Sequence, residues 1–262
     1  MLPVVDKPTI QYVVEEAIAA GVDDIIIITG RDKRAIEDHF DRSLELEHFL
    51  KEHGKNKELQ MVESISTLAD IHYVRQKSPR GLGDAIHCAR KHIGNEPFAV
   101  MLGDTIHVSE VPVVKQLMDV HADTKTSVIA VEAVPREKIK DYGIIAGERV
   151  RERVQRITQM VEKPSPENAP SNIAIAGTYL LTPAIFDCIE RTGPGLNDEI
   201  QLTDALKLLM RQEEIYACEF AGERYDVGDM LGWMRTNFEL TLKSERYGKE
   251  LRPFVGRILK ED

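Results

Sequence analysis

Apolar residues cluster in short runs rich in β-branched side chains through the first half of the chain. In most of these runs they occupy successive rather than alternate positions, as expected for strands that helices cover on both faces. The runs are Asp24–Thr29, Asp70–Val74, Phe98–Leu102 and Ser127–Val131. We predict a strand at each of them, with the more polar Asp70–Val74 nearer an edge of the sheet.

Helical patterns lie between these runs. The first covers Ile10–Ala20, where Thr9 can cap the start and Gly21 is a favoured stop residue. Two more cover Gly83–His92 and Val111–His121. The alternation of strand and helix predicts the α/β class, with a doubly wound, mostly parallel, Rossmann-like sheet.

The second half of the chain has a different pattern. Three predicted strands follow one another with little helix between them, at Gly143–Ala146, Arg156–Val161 and Ile173–Leu181. This arrangement predicts a small, partly antiparallel extension of the sheet. Further helices and short strands alternate beyond it, at Pro183–Arg191, Leu202–Arg211, Ile215–Phe220, Arg224–Val227 and about 229–247.

The chain is predicted to form one domain over residues 1–262, because no Pro-, Gly- or Ser-rich linker divides it. A charged segment with a helical pattern at about 43–63 is predicted to be an insertion. It follows the unit that begins with the strand Asp24–Thr29. A chain of 262 residues is long enough to bury a sizeable core in a single domain.

Composition and charge narrow the class of protein. Hydrophobic residues make up 42% and charged residues 30% of the chain, which is typical of a globular domain. The net charge of −10 argues against a nucleic-acid partner, which would require clustered Lys and Arg. No apolar run is long enough to span a membrane, so no membrane partner is expected. The three widely spaced cysteines predict a reduced, cytoplasmic protein.

Two carboxylates follow predicted strands at the edge where α/β sheets bind ligands. Asp104 comes directly after the Phe98–Leu102 run, and Asp226 stands between the last short strand and the final helix. Two carboxylates from separate strands suit Mg²⁺, which fills its remaining positions with phosphate oxygens and water. The alternative for each Asp is that it caps a turn or a helix.

Two other segments carry candidate binding groups. Gln76, Gly81 and Gly83 lie where a strand passes into a helix, so the glycines would let a ligand approach the backbone and the Gln amide could pair with a base. A tight turn and a solvated Gln are the alternatives. Glu162-Lys163, before Pro164, could face a sugar and its phosphate or form an ordinary surface ion pair.

The segment Asp198–Asp204 begins a helix, with Thr203 as a possible cap, and its carboxylates could close over a sugar. The chain contains no Gly-x-Ser-x-Gly elbow, no His-Glu-x-x-His and no phosphate loop ending in Gly-Lys-Ser/Thr.

Together these segments resemble one family, the UTP–glucose-1-phosphate uridylyltransferases, from Met1 to about Tyr247. The motifs that carry the resemblance, in order, are Met1–Pro8, Ile36–Phe40, Gly81-Leu82-Gly83, Leu102-Gly103-Asp104, Val161–Pro164, Ala169–Asn172 and Asp198–Asp204. The insertion after Phe40 and the Leu202-Thr203-Asp204 block favour the uridylyl over the thymidylyl branch.

The resemblance implies a role for individual residues. Gln76 and Gly81 would bind the uracil, Gly83 is a further predicted substrate-binding residue, and Asp104 and Asp226 would hold Mg²⁺. Glu162 would bind sugar hydroxyls and Lys163 the sugar phosphate. The sugar pocket would be completed by Asn172 and by the backbone at Gly143 and Gly177.

The implied reaction is a Mg²⁺-dependent in-line displacement in which glucose 1-phosphate attacks UTP, giving UDP-glucose and pyrophosphate. The nucleophile is already an anion, so the chemistry needs alignment and charge neutralisation rather than a Ser, Cys or His nucleophile. Lys163 and Asp104 are the predicted catalytic residues. The family also suggests a homo-oligomer, either a dimer or a tetramer.

One departure from the family lies at the start of the chain. The family opens with a strand and a glycine-rich loop ending in Thr-Arg or Ser-Arg, followed shortly by a Pro-Lys pair. That loop and its basic residues bind the nucleotide phosphates. The given chain begins immediately after the position of that lysine, at Met1-Leu2-Pro3. We expect Met1 to be an internal methionine of a longer protein, and residues 1–262 alone to lose most synthesis of UDP-glucose.

Two other functions remain open on the residues alone. A glucose-1-phosphate thymidylyltransferase would share these motifs. A catalytically inactive, sugar-nucleotide-binding regulatory subunit would fit the departure at the N-terminus, whereas the presence of both Asp104 and Asp226 favours an enzyme.

Overall fold

A computed structural model describes residues 3–195 and 198–258 of the chain. Met1 and Leu2, which open the first motif, lie outside the described residues. The strands are β1 (Pro3–Val4), β2 (Lys7–Pro8), β3 (Asp24–Thr29), β4 (Asp70–Arg75), β5 (Phe98–Met101), β6 (Thr105–Val108), β7 (Val128–Ala133), β8 (Gly143–Arg151), β9 (Val154–Glu162), β10 (Ile173–Leu181), β11 (Tyr216–Glu219) and β12 (Glu223–Asp226).

The helices follow the predicted positions closely. They are α1 (Thr9–Ala19), α2 (Arg34–Phe40), α3 (Leu44–Glu52), α4 (Asn56–Ile65), α5 (Leu82–Cys88), α6 (Arg90–Ile93), α7 (Val113–Thr124), α8 (Ala184–Arg191), α9 (Leu202–Leu209), α10 (Met230–Lys243) and α11 (Gly248–Ile258), with a 3₁₀ helix at Arg136–Asp141. None of the helices in the described part of the chain is long and apolar enough to cross a membrane.

The main sheet has six strands in the order β5-β10-β7-β11-β9-β8. Strands β7 and β11 are parallel, whereas β10 lies antiparallel between β5 and β7, and β9 is antiparallel to both β11 and β8. The predicted α/β class is confirmed. Antiparallel pairing is more extensive than the sequence pattern indicated, because β10 enters the middle of the sheet instead of extending its edge.

Both faces of the main sheet are covered, which explains the continuous apolar run in β7. Ile129 and Val131 point to one core with α8 and α9, and Val128 and Ala130 point to a second core with α7. All four side chains are fully buried. Burying an aliphatic side chain of this size contributes about 1.5–3 kcal/mol, so neither face tolerates a polar substitution.

Strands β3 and β4 form a separate parallel pair, in register from Asp24 with Asp70 to Thr29 with Arg75. They pack with α1 and α2 around Val14, Ile27 and Phe40. Helices α3 and α4 follow α2, so the charged segment at about 43–63 is helical as predicted, and its being an insertion stays a prediction.

Two predicted helix caps are wrong. Thr9 is the first residue of α1, whose preceding position is Pro8, and Thr203 lies inside α9 after Gln201. Asp229 does cap α10, since its carboxylate accepts a hydrogen bond of 2.7 Å from the Gly232 amide.

Candidate active site

A cavity of about 310 Å³ opens where several strand ends meet beside the start of α9. Six of the predicted site residues line it: Asp104, Gly143, Glu162, Lys163, Gly177 and Asp226. Its other lining residues are Leu82, Leu102, Thr105, Asp141, Tyr142, Ile175, Tyr179, Gln201, Leu202, Thr203 and Arg224. Residues far apart in the chain therefore converge on one polar cleft.

The short ladder between β6 and β12 brings the two aspartates together. Asp226 pairs in register with Thr105, the residue after Asp104. The Val227 amide donates a hydrogen bond of 2.9 Å to the Asp104 carbonyl, which fixes the two chain segments to each other. The sequence pattern did not indicate β6, because its four residues follow β5 after a short turn.

The two carboxylates share a space that a side chain at position 228 would fill. An added Cβ at Gly228 would lie 3.2 Å from Asp226 Oδ1 and 3.4 Å from Asp104 Oδ2. Within the described residues, no cluster of three His, Cys, Asp or Glu residues is placed to hold a metal. A pair of carboxylates is nevertheless sufficient for a hard cation that takes its other oxygens from phosphate and water. The residues therefore fit a divalent cation.

The electrostatics of Asp104 favour a cation at this point. Although one side of Asp104 is open to the cleft, desolvation by the surrounding protein raises the pKa of its carboxyl above the ordinary value, and the negative charge of Asp226 raises that pKa further. A bound cation would offset both effects because it stabilises the ionised carboxylates.

Asp226 also has partners that the sequence reading missed. The Tyr142 hydroxyl donates a 3.0 Å hydrogen bond to Asp226 Oδ2, and Arg224 Nη1 lies 3.4 Å from the same oxygen. The Arg224 side chain is only 8% exposed. Its position two residues before Asp226 on β12 was the available signal, since residues i and i+2 share one face of a strand.

Glu162 lies at the end of β9 and faces the start of α9. Its Oε2 accepts a 2.5 Å hydrogen bond from the Thr203 hydroxyl. An added Cβ at Gly143 would lie 3.1 Å from the same Oε2, so a side chain there would displace the Glu162 carboxylate slightly. The partly exposed carboxylate keeps acceptor capacity toward the cleft, as recognition of hydroxyl groups requires.

Lys163 is exposed and has a left-handed backbone, with φ of 43°. Its amide donates to the Tyr142 carbonyl at 3.1 Å, and the buried Pro164 follows it. Among the residues that the structure describes, Lys163 forms no ion pair with Glu162, so the surface-pair interpretation is wrong. Lys163 is one of the residues that line the cavity, and a lysine there is suited to binding a phosphate.

The Gln76–Gly83 segment stands beside the cavity, which it reaches through Leu82. The half-buried Gln76 donates to Asp84 Oδ2 at 2.7 Å and to the Gly81 carbonyl at 3.3 Å, so it is not a merely solvated side chain. Its Oε1 remains able to accept a hydrogen bond from a base. Base recognition by Gln76, Gly81 and Gly83 stays a prediction.

Gly81 and Gly83 have a packing role against the segment before α9. Gly81 has φ of +91°, and an added Cβ there would lie 2.8 Å from Glu199 Cβ. At Gly83 an added Cβ would lie 2.8 Å from the Ile200 carbonyl oxygen, to which the Gly83 amide also donates at 2.9 Å. Close docking of this segment is thus one reason for glycine at both positions.

Replacing Gly83 with alanine should therefore destabilise the protein by about 1–3 kcal/mol, since the Ile200 backbone must move away from the new methyl group. Urea unfolding followed by circular dichroism measures the change. Gly30→Ala is the control, because its added Cβ meets nothing within 4 Å and its backbone is not left-handed. Equal stability of the two variants would contradict the packing role.

The two remaining predicted sugar-pocket residues differ in position. Gly177 lines the cavity with φ of +81°, at the point where the pairing register of β10 shifts. Asn172 is exposed and does not line the cavity, and its amide donates to the Val134 carbonyl at 3.3 Å. The structure gives Asn172 a role in the turn before β10, and its contact with a sugar stays a prediction.

Convergent carboxylates and a lysine at strand ends of an α/β sheet are suited to a phosphorylated substrate with a divalent cation. In agreement, residues 1–241 match the nucleotidyl transferase family. A UTP–glucose-1-phosphate uridylyltransferase of Bacillus subtilis (strain 168) is 50% identical over 262 residues, covering 100% of this chain and 90% of that protein.

Solved structures agree with the sequence comparison. A UDP-glucose pyrophosphorylase complexed with UDP-glucose is 43% identical, with a TM-score of 0.84 over 93% of this chain and 90% of that one. A UTP-bound UGPase from Acinetobacter baumannii is 32% identical, with a TM-score of 0.86 over 97% of this chain and 90% of that one. The chain belongs to the nucleotidyl transferase family, in its branch of UTP–glucose-1-phosphate uridylyltransferases.

Proposed function

We propose that this protein transfers a uridylyl group from UTP to glucose 1-phosphate, giving UDP-glucose and pyrophosphate. The observation that carries the proposal is that Asp104, Asp226, Glu162 and Lys163 line one cavity. The relatives' names point to the same substrates, and one similar structure was solved with UDP-glucose and another with UTP.

In this reaction a phosphate oxygen of glucose 1-phosphate forms a bond to the α-phosphorus of UTP. The bond from that phosphorus to the bridging oxygen breaks, and pyrophosphate leaves with the electron pair. The attacking oxygen is already anionic, so no side chain has to remove a proton. The contribution of the protein is alignment of the two phosphates and compensation of their charge.

Individual residues would divide this work. Glu162, oriented by Thr203, would accept hydrogen bonds from sugar hydroxyls. The Lys163 ammonium would bind the sugar phosphate, which brings the nucleophile into the cleft. Asp104 and Asp226 would hold Mg²⁺, which supplies positive charge to the phosphate oxygens when it is bound.

The Gln76–Gly83 segment would bind the uracil, with Gln76 Oε1 as acceptor. We infer one nucleotidyltransferase domain, cytoplasmic and assembled as a dimer or tetramer, on the basis of the family resemblance and the sequence pattern. Three free cysteines, two of them buried, agree with a reducing compartment.

Pyrophosphate release from UTP and from dTTP, each with glucose 1-phosphate, tests the proposal. Turnover is expected with UTP well above that with dTTP. The reverse preference would favour the thymidylyltransferase alternative. Calorimetry with UDP-glucose is run in parallel, and tight binding without turnover, even in an N-terminally extended form, would favour the regulatory subunit.

A further inference from the structure

Tyr142 contacts both the chain segment of Lys163 and the carboxylate of Asp226 in the cleft. It stands between the 3₁₀ helix Arg136–Asp141 and β8. Its backbone carbonyl accepts the Lys163 amide at 3.1 Å, and its hydroxyl donates to Asp226 Oδ2 at 3.0 Å. One residue thus connects the chain segment of the phosphate-facing lysine with one of the two convergent carboxylates.

Arg224 holds the Tyr142 ring in place. The Arg224 guanidinium carbon lies 4.6 Å from the centre of that ring, an arrangement that fixes the plane of the ring beneath the cation. Arg224 Nε donates to Glu132 Oε1 at 2.5 Å, whereas its Nη1 lies 3.4 Å from Asp226 Oδ2. The charge of Arg224 is therefore directed mainly to Glu132, which leaves Asp226 only partly compensated.

The two aspartates differ in how firmly they are held. Both oxygens of Asp226 are engaged, Oδ2 by Tyr142 and Oδ1 by the Gly228 amide at 3.0 Å. The Asp104 carboxylate has a long contact of 3.5 Å with the Thr105 hydroxyl and a hydrogen bond with its own backbone amide, both within the same turn. Asp226 is thus the fixed member of the pair, and its orientation depends on Tyr142.

We propose that Tyr142, supported by Arg224 and Glu132, is a positioning residue that aims the Asp226 carboxylate at the space in front of Gly228 and sets its distance from Lys163. The inference rests on the proposed function in that a divalent cation binds between Asp104 and Asp226. Hydrogen bonds to a ligating carboxylate fix its orientation, and their removal typically weakens metal binding by about 10–100-fold.

Tyr142→Phe tests the inference because it removes the hydroxyl and keeps the ring against Arg224. Mn²⁺, titrated into the full chain and followed by electron paramagnetic resonance, is expected to bind about 10-fold or more weakly than in the wild type. The affinity for UDP-glucose in EDTA should stay unchanged, since the carbonyl that accepts the Lys163 amide is retained. When Mn²⁺ is added, the affinity for UDP-glucose should rise less in Tyr142→Phe than in the wild type.

Tyr225→Phe is the matched control. Tyr225 lies on the same strand as Asp226 but is adjacent to it, so its side chain points to the opposite face, where its hydroxyl donates to Glu223 Oε2 at 2.6 Å and lies 3.0 Å from Glu239 Oε1. This variant also loses a tyrosine hydroxyl, yet it should bind Mn²⁺ as the wild type does. Glu132→Gln is a second variant, expected to weaken Mn²⁺ binding because the unbalanced Arg224 charge then competes for Asp226.

The outcomes separate this inference from the proposed function. Equal Mn²⁺ affinity in the wild type and Tyr142→Phe would overturn the inference, as would an equal loss in Tyr225→Phe or a wild type that binds no Mn²⁺. A wild type that binds Mn²⁺ but not UDP-glucose would sink the proposed function alone. A selective loss of Mn²⁺ affinity in Tyr142→Phe and Glu132→Gln supports the positioning role.

Discussion

Asparagine at position 104 is expected to abolish divalent-cation binding while raising the melting temperature of the metal-free protein. Both effects have one origin, the unfavourable environment of the ionised Asp104 carboxylate. Desolvation and the charge of Asp226 raise the pKa of Asp104, so the folded protein binds this proton more tightly than the unfolded chain does. Above that raised pKa the ionised group therefore destabilises the fold, and the neutral amide removes this effect.

Thermal unfolding in EDTA and Mn²⁺ titration at neutral pH measure the two effects. We expect a melting temperature higher by about 1–4 °C. Mn²⁺ should bind at least about 100-fold more weakly, because loss of a ligand costs more than loss of a ligand's hydrogen-bond partner. Lowering the pH through the raised pKa of Asp104 should likewise weaken Mn²⁺ binding in the wild type and reduce the stability difference between the two proteins.

Asp226→Asn provides the control for this prediction. It should also lose Mn²⁺, yet without a gain in melting temperature, because its carboxylate accepts hydrogen bonds from Tyr142 and Gly228 that an amide replaces poorly. Undiminished Mn²⁺ affinity in Asp104→Asn would show that the pair does not hold the cation. An equal rise in melting temperature in both variants would show that repulsion between the two carboxylates, rather than desolvation of Asp104, destabilises the fold.

The second large effect is expected from Lys163→Met, which removes the ammonium and retains a side chain of similar length. A charged hydrogen bond contributes about 1.5–3 kcal/mol, so the affinity for UDP-glucose should fall by about 10–150-fold. Isothermal calorimetry measures this fall. The loss should shrink as salt concentration rises, because the interaction with phosphate is partly open to solvent.

Lys140→Met is the matched control, because Lys140 is an exposed lysine on the neighbouring 3₁₀ helix and does not line the cavity. It removes the same charge from the same region and should leave the affinity within about twofold, as for a surface residue without a specific partner. If both variants weaken UDP-glucose binding equally, Lys163 acts only through its contribution to the electrostatic potential of this region and not through a direct contact with phosphate.

Much of the fold was readable from local patterns. The apolar runs at Asp24–Thr29 and Ile173–Leu181 became strands with those bounds, because apolar side chains at successive positions can be buried on both faces of a sheet. Gly21 ends α1 with a positive φ, as predicted. Strand order was not readable in this way, since pairing of β10 with β5 joins residues more than seventy positions apart, and pairing with β7 joins residues at least forty positions apart.

The candidate site likewise contains residues that local sequence position identified and residues that depend on tertiary contacts. Asp104 and Glu162-Lys163 were found because a polar residue directly after a buried strand must lie at the sheet edge. Tyr142, Arg224 and Glu132 were missed because their roles depend on which strand end each one meets. The interpretation of Thr203 as a cap was wrong for this reason too, since its hydroxyl meets Glu162 from a distant strand.

The sequence by itself therefore determined the α/β class, the individual strands and helices and the family of this protein, and it identified the aspartates as candidate cation ligands. These features follow from periodicity and from the order of motifs, which are local properties of the chain. The tertiary structure alone decided that Asp104 and Asp226 share one space and that Tyr142 and Arg224 orient only the second. Such contacts arise when distant strand ends pack side by side, and neither spacing nor composition contains that geometry.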